Sequence, residues 1–540
     1  MNIQGSVIKS FKALTQTQLI IFVSLFLVLF DNVAFFQNLV KVYPLNWDNA
    51  GFLLSIVLLL LFLTILLLTL VSSKWTTKPI LILILLVSSM TNYFMNTYHV
   101  IIDDEMIRNT LQTNLAESAD LLSLKQLLYL LFLGILPAYL VYRAPVVYRP
   151  IKSELLSKLK MILLSLAVIA ASLFIYSKHY TSFFREHKPL RFTINPLYWI
   201  YSTGKYVVLT YNNGPIILKP MGEDATIPST SQPHKLVIMV VGEAARADHF
   251  SLNGYRRETN PKLKQEDIVN FSHFYSCGTS TAVSVPCMFS LLDRADYNYK
   301  KGLSQENVID VLKHTGKVAL LWRDNNSDSK GVALRIPHED FRTPKQNKIC
   351  IEGECRDIGM LQGLDQFIAE HKDKDILIVL HQMGNHGPAY YKRYPKSFEK
   401  FTPVCTTNQL EACSREEIAN AYDNALLYTD DFLSRVIAFL KQYDRDYQTA
   451  MLYIADHGES LGEKGLYLHG LPYFMAPDTQ KHVGALMWFG SQSKRHLPIE
   501  KLRQNADNDF SQDNLSHTLL GLFGVQSKVY EKGKDMLVSP

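Results

Sequence analysis

The sequence predicts a two-part α/β protein: a bundle of five membrane-crossing helices, then a domain built on a central, mainly parallel sheet covered by helices. Three observations carry this expectation. Up to about residue 178 the chain is dominated by Leu, Ile, Val and Phe, whereas the remainder mixes apolar runs with charged, Gly- and Pro-containing segments. Five segments of the first part approach the ~20 apolar residues that a helix needs to cross a bilayer. In the second part, apolar runs of strand length are continuous rather than alternating, which means burial on both faces, as in a parallel sheet between helices.

The five spans are placed near Leu14–Phe36, Ala50–Val71, Pro79–Tyr98, Leu124–Tyr142 and Met161–Tyr176. The first follows Lys9 and Lys12 in the manner of a signal peptide, but no small-residue cleavage site follows it, so it is read as a retained anchor. Positive charge in short loops stays cytoplasmic. It gathers at the N-terminus, at Lys74 and Lys78, and at Arg143, Arg149, Lys152, Lys158 and Lys160, while the alternate loops carry little more than Lys41 and Arg108. The N-terminus is therefore expected in the cytoplasm, with everything after the fifth span outside it.

Residues 1–178 form the expected transmembrane domain and residues 235–540 the soluble domain. Between them, residues 179–234 start with Tyr, Phe, Trp and cationic side chains suited to the membrane interface. They end in a Pro-, Gly- and Ser-rich stretch read as a tether. All six cysteines fall in the external half, as disulfides in an oxidising compartment require. They come as close pairs, which favours Cys277–Cys287, Cys350–Cys355 and Cys405–Cys413. The net charge of +5 is spread along the chain, so no nucleic acid is implied, and a monomer is expected.

Ligands of such sheets bind beyond the carboxyl ends of the strands. The residues there are Glu243 after "LVIMVVG", His381 and His386 after "DILIVL", and Asp456-His457 after "AMLYIA", with His469 in "GLYLHG". Carboxylate and imidazole together suit a zinc or mixed oxygen/nitrogen metal site. A metal so bound activates a coordinated hydroxyl as a nucleophile. "CGTSTAVSVPC" supplies Thr279, Ser280, Thr281 and Ser284, and "SVPCMFSLLD" reads as a helix opening that one of these hydroxyls would otherwise cap.

The stretches "VVGEAARADHFSLNGYRRETNP", "SCGTSTAVSVPCMFS", "LLWRDNNSDSKG", "LHQMGNHGPAYYKRYP", "AYDNALLYTDDFL" and "ADHGESLGEKGLYLHG" closely resemble the lipid A phosphoethanolamine transferases, a family that includes the mobile colistin-resistance enzymes. The resemblance implies an alkaline phosphatase/sulfatase-like soluble domain facing the periplasm from the bacterial inner membrane. It implies Thr281 as the nucleophile that becomes phosphoethanolamine-modified, with Glu243, Thr281, Asp456 and His457 holding the principal Zn2+. His386 and His469 would bind substrate phosphate or a second zinc, and His381 would lie nearby. Asn326 and Lys330 would meet the phosphoethanolamine group, and Asn109, Thr113 and Glu117 the lipid headgroup. Where family members often carry Thr after the ligand Glu, this chain has Ala244, which puts one supporting hydrogen bond in doubt.

The implied reaction takes phosphoethanolamine from phosphatidylethanolamine through a covalent threonine intermediate to a lipid A phosphate, which would lower outer-membrane charge and confer polymyxin resistance. Rivals are a transferase acting on another envelope glycan, a glycerophosphate transferase of the same superfamily, and a non-catalytic lipid-binding scaffold. The C/S-x-P-x-R signature of sulfatases is not found.

Overall fold

The computed structural model describes residues 13–113, 118, 121–185, 187–211, 217–351 and 353–538. Its contacts divide the chain into two compact units: Met1–Ile107 with Leu122–Val207, and Arg108–Leu121 with Val208–Pro540.

The first unit is helical. Thr15 starts α1 (Gln16–Phe30) with a capping box, its hydroxyl accepting from the Gln18 amide while the Gln18 side chain accepts from the Thr15 amide. A 56° bend then separates α1 from α2 (Val33–Val42), and the two together are long and apolar enough for one broken span or a re-entrant loop. The break at Asp31–Asn32 frees carbonyls, and Asn32 answers it by donating from Nδ2 to Leu27 O (2.9 Å) and to Asn195 O (2.6 Å). Four further helices are long and apolar enough to cross a membrane: α3 (Trp47–Val71), α4 (Thr77–Thr97), α5 (Leu124–Arg143) and α6 (Ile151–Ile175). The fifth span starts earlier than its apolar stretch suggests, because Lys152, Lys158 and Lys160 continue the helix outward instead of ending it.

A π-helical turn, Leu130–Ile135, interrupts α5. It coincides with a close approach: a Cβ on Gly134 would stand 2.5 Å from Ser89 Oγ of α4. The aromatic interfacial stretch forms α7 (Ser177–Arg185) and α8 (Leu197–Tyr211), and Tyr180 and Phe183 pack with Phe35 and Phe52 of the spans.

The second unit has a seven-stranded sheet: β1 (Lys235–Gly242), β2 (Ile268–Phe271), β3 (Val318–Asp324), β4 (His338–Asp340), β5 (Asp375–His381), β6 (Gln448–Ala455) and β7 (Ala485–Phe489). Their spatial order is β2-β7-β6-β1-β5-β3-β4, and β7 alone runs against its neighbours. The central strands are buried along their whole length apart from Lys235, as their unbroken apolar runs require. Helices α9 (Thr281–Met288) and α10 (Arg415–Lys441) belong to its covering layers, and α10 starts at Ser414 with a capping box to Glu417.

The stretch read as a tether is bound to this unit from Lys219 onward. Lys219 and Thr226 bridge to Gln305 and Gln526, and Ala225 and Ile227 are buried in the core. Its few apolar residues, diluted among Pro and Gly, decide this placement. All six cysteines are bonded in the sequential pairs.

Gly134→Leu is expected to overpack the α4–α5 contact by about 1–3 kcal/mol. Thermal unfolding of the detergent-solubilised chain should show a lowered Tm, whereas Gly254→Leu, with nothing near its Cβ but a positive φ of 87°, should act on the soluble unit alone.

Candidate active site

The pairing of β6 with β1 builds the site. Ala455 lies opposite Gly242, so the next residues on each strand, Asp456 and Glu243, leave the sheet side by side, and the Asp456 amide donates to Gly242 O (2.9 Å). His457 follows at once. Glu243, Asp456 and His457 are completely buried and bring one ligand atom each within 4.8 Å of one another.

Thr281 is the first residue of α9, and its Oγ1 donates to Glu243 Oε2 (3.1 Å) and lies 3.3 Å from His457 Nε2. The helix therefore opens at Thr281 itself, three residues before Ser284. None of the four hydroxyls caps it: Ser280 holds the N-cap position without a side-chain bond, Thr279 donates to Leu471 O, and Ser284 Oγ is buried without a partner. Capping is thus not what the cluster is for, and one of its members is aimed at a carboxylate.

The residues fit a metal ion. The imidazole Nδ1 of His457 lies 2.8 Å from Gly458 O, an acceptor, so Nδ1 carries the proton. Burial pushes the His457 pKa down and keeps the ring neutral. Its Nε2 lone pair then faces Glu243 Oε1 at 3.5 Å and Asp456 Oδ2 at 3.4 Å, two oxygens without hydrogen-bond donors. Burial, reinforced by the charge of Asp456, raises the Glu243 pKa well above the usual carboxylate range. The raised pKa means that Glu243 holds a proton when no cation is bound, and two carboxylate oxygens converging with an imidazole lone pair are a donor set in which a cation would take the place of that proton.

Asn326 comes to the same carboxylate, with Nδ2 donating to Glu243 Oε2 (2.7 Å) and to Gln382 O (3.0 Å). Its turn position thus serves to hold Glu243. Lys330 is largely buried in a left-handed conformation (φ 48°) and lines a cleft with Pro286 and Ser290. The His469 ring lies against that of His457, tilted by 41° with 4.2 Å between ring centres, and the His386 ring centre lies 6.2 Å from that of His469. Burial, then the nearby Arg393 guanidinium, holds the His386 pKa well below its usual value, so this imidazole is neutral. Asn109 and Thr113 stand apart from these groups in the chain, at and just after the short helix Asp104–Gln112, with Thr113 donating to Asn109 O (2.7 Å). Glu117 lies outside the described residues.

Two functional-site residues were not singled out from sequence. Glu459, three residues after Asp456, is fully buried with Oε1 3.1 Å from His469 Nδ1, and it orients that ring. Asp324 ends β3 and holds His381 Nδ1 at 3.0 Å. Of the two, Asp324 carries a sequence signal, as an acid at the end of an apolar run, whereas Glu459 is marked only by its burial. The methyl group of Ala244 offers no side-chain hydrogen bond, and what this residue gives the site comes from its backbone: at φ 53° its amide donates to Asp456 Oδ1 (3.2 Å), while its carbonyl accepts from Tyr422. The Cys277–Cys287 bridge ties the loop before α9 to the last turn of that helix, and Gln512 joins the loop to the sheet. It accepts from the Cys277 amide (2.7 Å) and donates to Ala455 O and Asp456 O, both at 2.8 Å.

Residues 235–525 match the Sulfatase family model, so the soluble unit is of the sulfatase class. Residues 60–211 match the model described as phosphoethanolamine transferase EptA/EptB. The chain is 45% identical over 526 residues to phosphatidylethanolamine transferase Mcr-1 of Escherichia coli, covering 95% of each protein. It is 38% identical to phosphoethanolamine transferase EptA of Escherichia coli K12, over 94% of this chain and 93% of that one. The solved integral membrane lipooligosaccharide phosphoethanolamine transferase A from Neisseria meningitidis superposes with a TM-score of 0.93 at 36% identity, covering 98% of this chain and 100% of that one. The chain belongs to the phosphoethanolamine transferase family.

The Asp324–His381 pair gives a pH signature. Burial opposes ionisation of both groups, yet their attraction prevails, holding Asp324 below its ordinary 3.8 and His381 above its ordinary 6.5. The share of Asp324 in stability is complete above pH 3.8 and is lost as pH falls through its folded value; that of His381 is complete below pH 6.5 and is lost as pH rises through its folded value. Asp324→Asn should therefore cost most, about 3 kcal/mol, between these limits. Unfolding measured across the pH range should show the cost shrinking on both sides.

Proposed function

We propose that this chain transfers phosphoethanolamine from phosphatidylethanolamine to a phosphate of lipid A, with Thr281 as the covalent carrier. The observation that carries this reading is the Thr281 hydroxyl, 3.1 Å from Glu243 and 3.3 Å from His457 at the mouth of a buried carboxylate–imidazole group. Glu243, Asp456 and His457, with Thr281, would hold Zn2+. Bound there, the ion lowers the pKa of the hydroxyl and offsets charge on the phosphoryl oxygens.

In the first step Thr281 Oγ1 bonds to phosphorus as the bond from phosphorus to the diacylglycerol oxygen breaks. Neutral His386 serves as acceptor of the Thr281 proton, and His469, held by Glu459, as proton donor to the departing diacylglycerol oxygen. In the second step an oxygen of the lipid A phosphate bonds to the same phosphorus and Thr281 is released, regaining its proton. Glu459 keeps the His469 ring turned for this exchange. Asn326 and Lys330 receive the phosphoethanolamine group, and Asn109, Thr113 and Glu117 receive the lipid headgroup. The product covers a phosphate charge with an ammonium, which weakens the binding of cationic peptides such as polymyxins. On this reading the protein lies in the bacterial inner membrane, and the distribution of Lys and Arg in its short loops supports a cytoplasmic N-terminus and a periplasmic catalytic domain.

Mass spectrometry of lipid A from Gram-negative cells expressing the chain tests the reading. Wild type should add phosphoethanolamine, and Thr281→Ala should lower transfer by about 10³-fold or more. A wild type that adds none would falsify the proposal, and a Thr281→Ala variant that still transfers would remove Thr281 as carrier. Metal removal supplies a further test. Chelation should abolish turnover and Zn2+ should restore it, while Glu243→Gln or Asp456→Asn should lower bound zinc in elemental analysis about 10-fold or more.

A further inference from the structure

His386 sits on the segment after β5, residues 382–389, which has no regular secondary structure and yet is buried apart from the half-buried Met383 and His386. Such a segment needs its polar backbone groups answered from outside. Two of the answers come from one place. The Cys350–Cys355 bridge closes a hairpin of Cys350–Ile351 against Glu354–Cys355. Just beyond it, buried Asp357 accepts from the amides of Met383 (2.8 Å) and Gly384 (3.2 Å). Within the hairpin, Glu354 Oε2 accepts from Arg393 Nη1 (2.8 Å), and the same guanidinium donates from Nε to the carbonyl of His386 itself (2.8 Å). The Arg393 side chain is 3% exposed and that of Glu354 is 22% exposed. Asn325 completes the connection, donating from one Nδ2 to Cys355 O (2.9 Å) and to Asp357 Oδ1 (2.8 Å).

We infer that Arg393 is a positioning residue for His386, anchored by Glu354 on the disulfide-closed hairpin, so that the hairpin and the His386 segment form one clamp. The planar guanidinium is what makes this work. Two donors at fixed angles meet a carbonyl and a carboxylate at once, and an ammonium on a flexible stem serves only one of them well. A functional group held from behind in this way loses rate when its support goes, with little change in what the site can bind. The role in catalysis rests on the transfer proposed above; the clamp itself does not.

The test uses the full chain in detergent, with transfer from a fluorescent phosphatidylethanolamine to lipid A as one readout. Deuterium uptake of peptides covering residues 382–390 is the other. Arg393→Met should lower kcat about 10- to 100-fold, leave KM for the donor within about threefold, and raise exchange in residues 382–390 ahead of the rest of the domain. Arg393→Lys should fall between it and wild type. Glu354→Ala, at a less buried position, should shift both readouts the same way by a smaller factor, and adding it to Arg393→Met should bring no further loss, since both act along one path. The inference is overturned if exchange rises evenly over the domain while kcat falls only with the folded fraction. It is equally overturned if the two substitutions add, or if exchange in residues 382–390 does not change. If wild type transfers nothing, the proposed reaction fails and the exchange pattern alone decides the clamp.

Discussion

The chemistry of this protein depends on the register of two parallel strands. With Ala455 opposite Gly242, two acids emerge together at the end of the sheet and a histidine follows one residue later. A slip of one residue would turn Asp456 to the other face of the sheet and leave Glu243 facing an apolar neighbour. The register is held by strands buried on both faces, so the hydrophobic core that stabilises the domain also sets the spacing of its ligands. Repulsion between the two buried carboxylates is a local cost carried by that core.

Around this pair the supporting contacts form layers of decreasing burial. Asn326, the Ala244 amide and the Gly458 carbonyl fix the orientation of Glu243, Asp456 and His457. Glu459 and Asp324 do the same for the histidines beside them. Outside these lie the cysteine-closed loops, and two of the three bridges reach the site through a polar side chain: Gln512 for Cys277–Cys287, Glu354 for Cys350–Cys355. The bridges thus bear on precision in the site as well as on stability.

How far the site could be read in the sequence follows from what positioned each group. Strand-end residues were legible because a continuous apolar run announces both the strand and its end, which is how Glu243, Asp456 and His381 were found. Asp324 ends such a run as well, but Arg323 beside it makes the pair look like a solvated strand end, whereas Arg323 is in fact buried against Met360 O and Gln362 O. Glu459 lies in a loop, where an acid is ordinary, and only its burial marks it. The broken first span and the π-helical turn could not be read from hydropathy, because each depends on a partner helix rather than on local composition. The membrane-crossing segments were plain for the opposite reason, since a bilayer requires apolar length whatever the neighbours are.

Gln512 also separates two properties of the loop that leads to Thr281. Its amide ties that loop to the end of β6 from a residue 235 positions away from Cys277, whereas the Cys277–Cys287 bridge closes the same loop over a separation of 10. The longer link costs more chain entropy to close than the short one, so the loop can be closed before it is pinned to the sheet. The shape of the loop and its place on the sheet therefore have different sources, and losing the Gln512 bonds would free the second without opening the first.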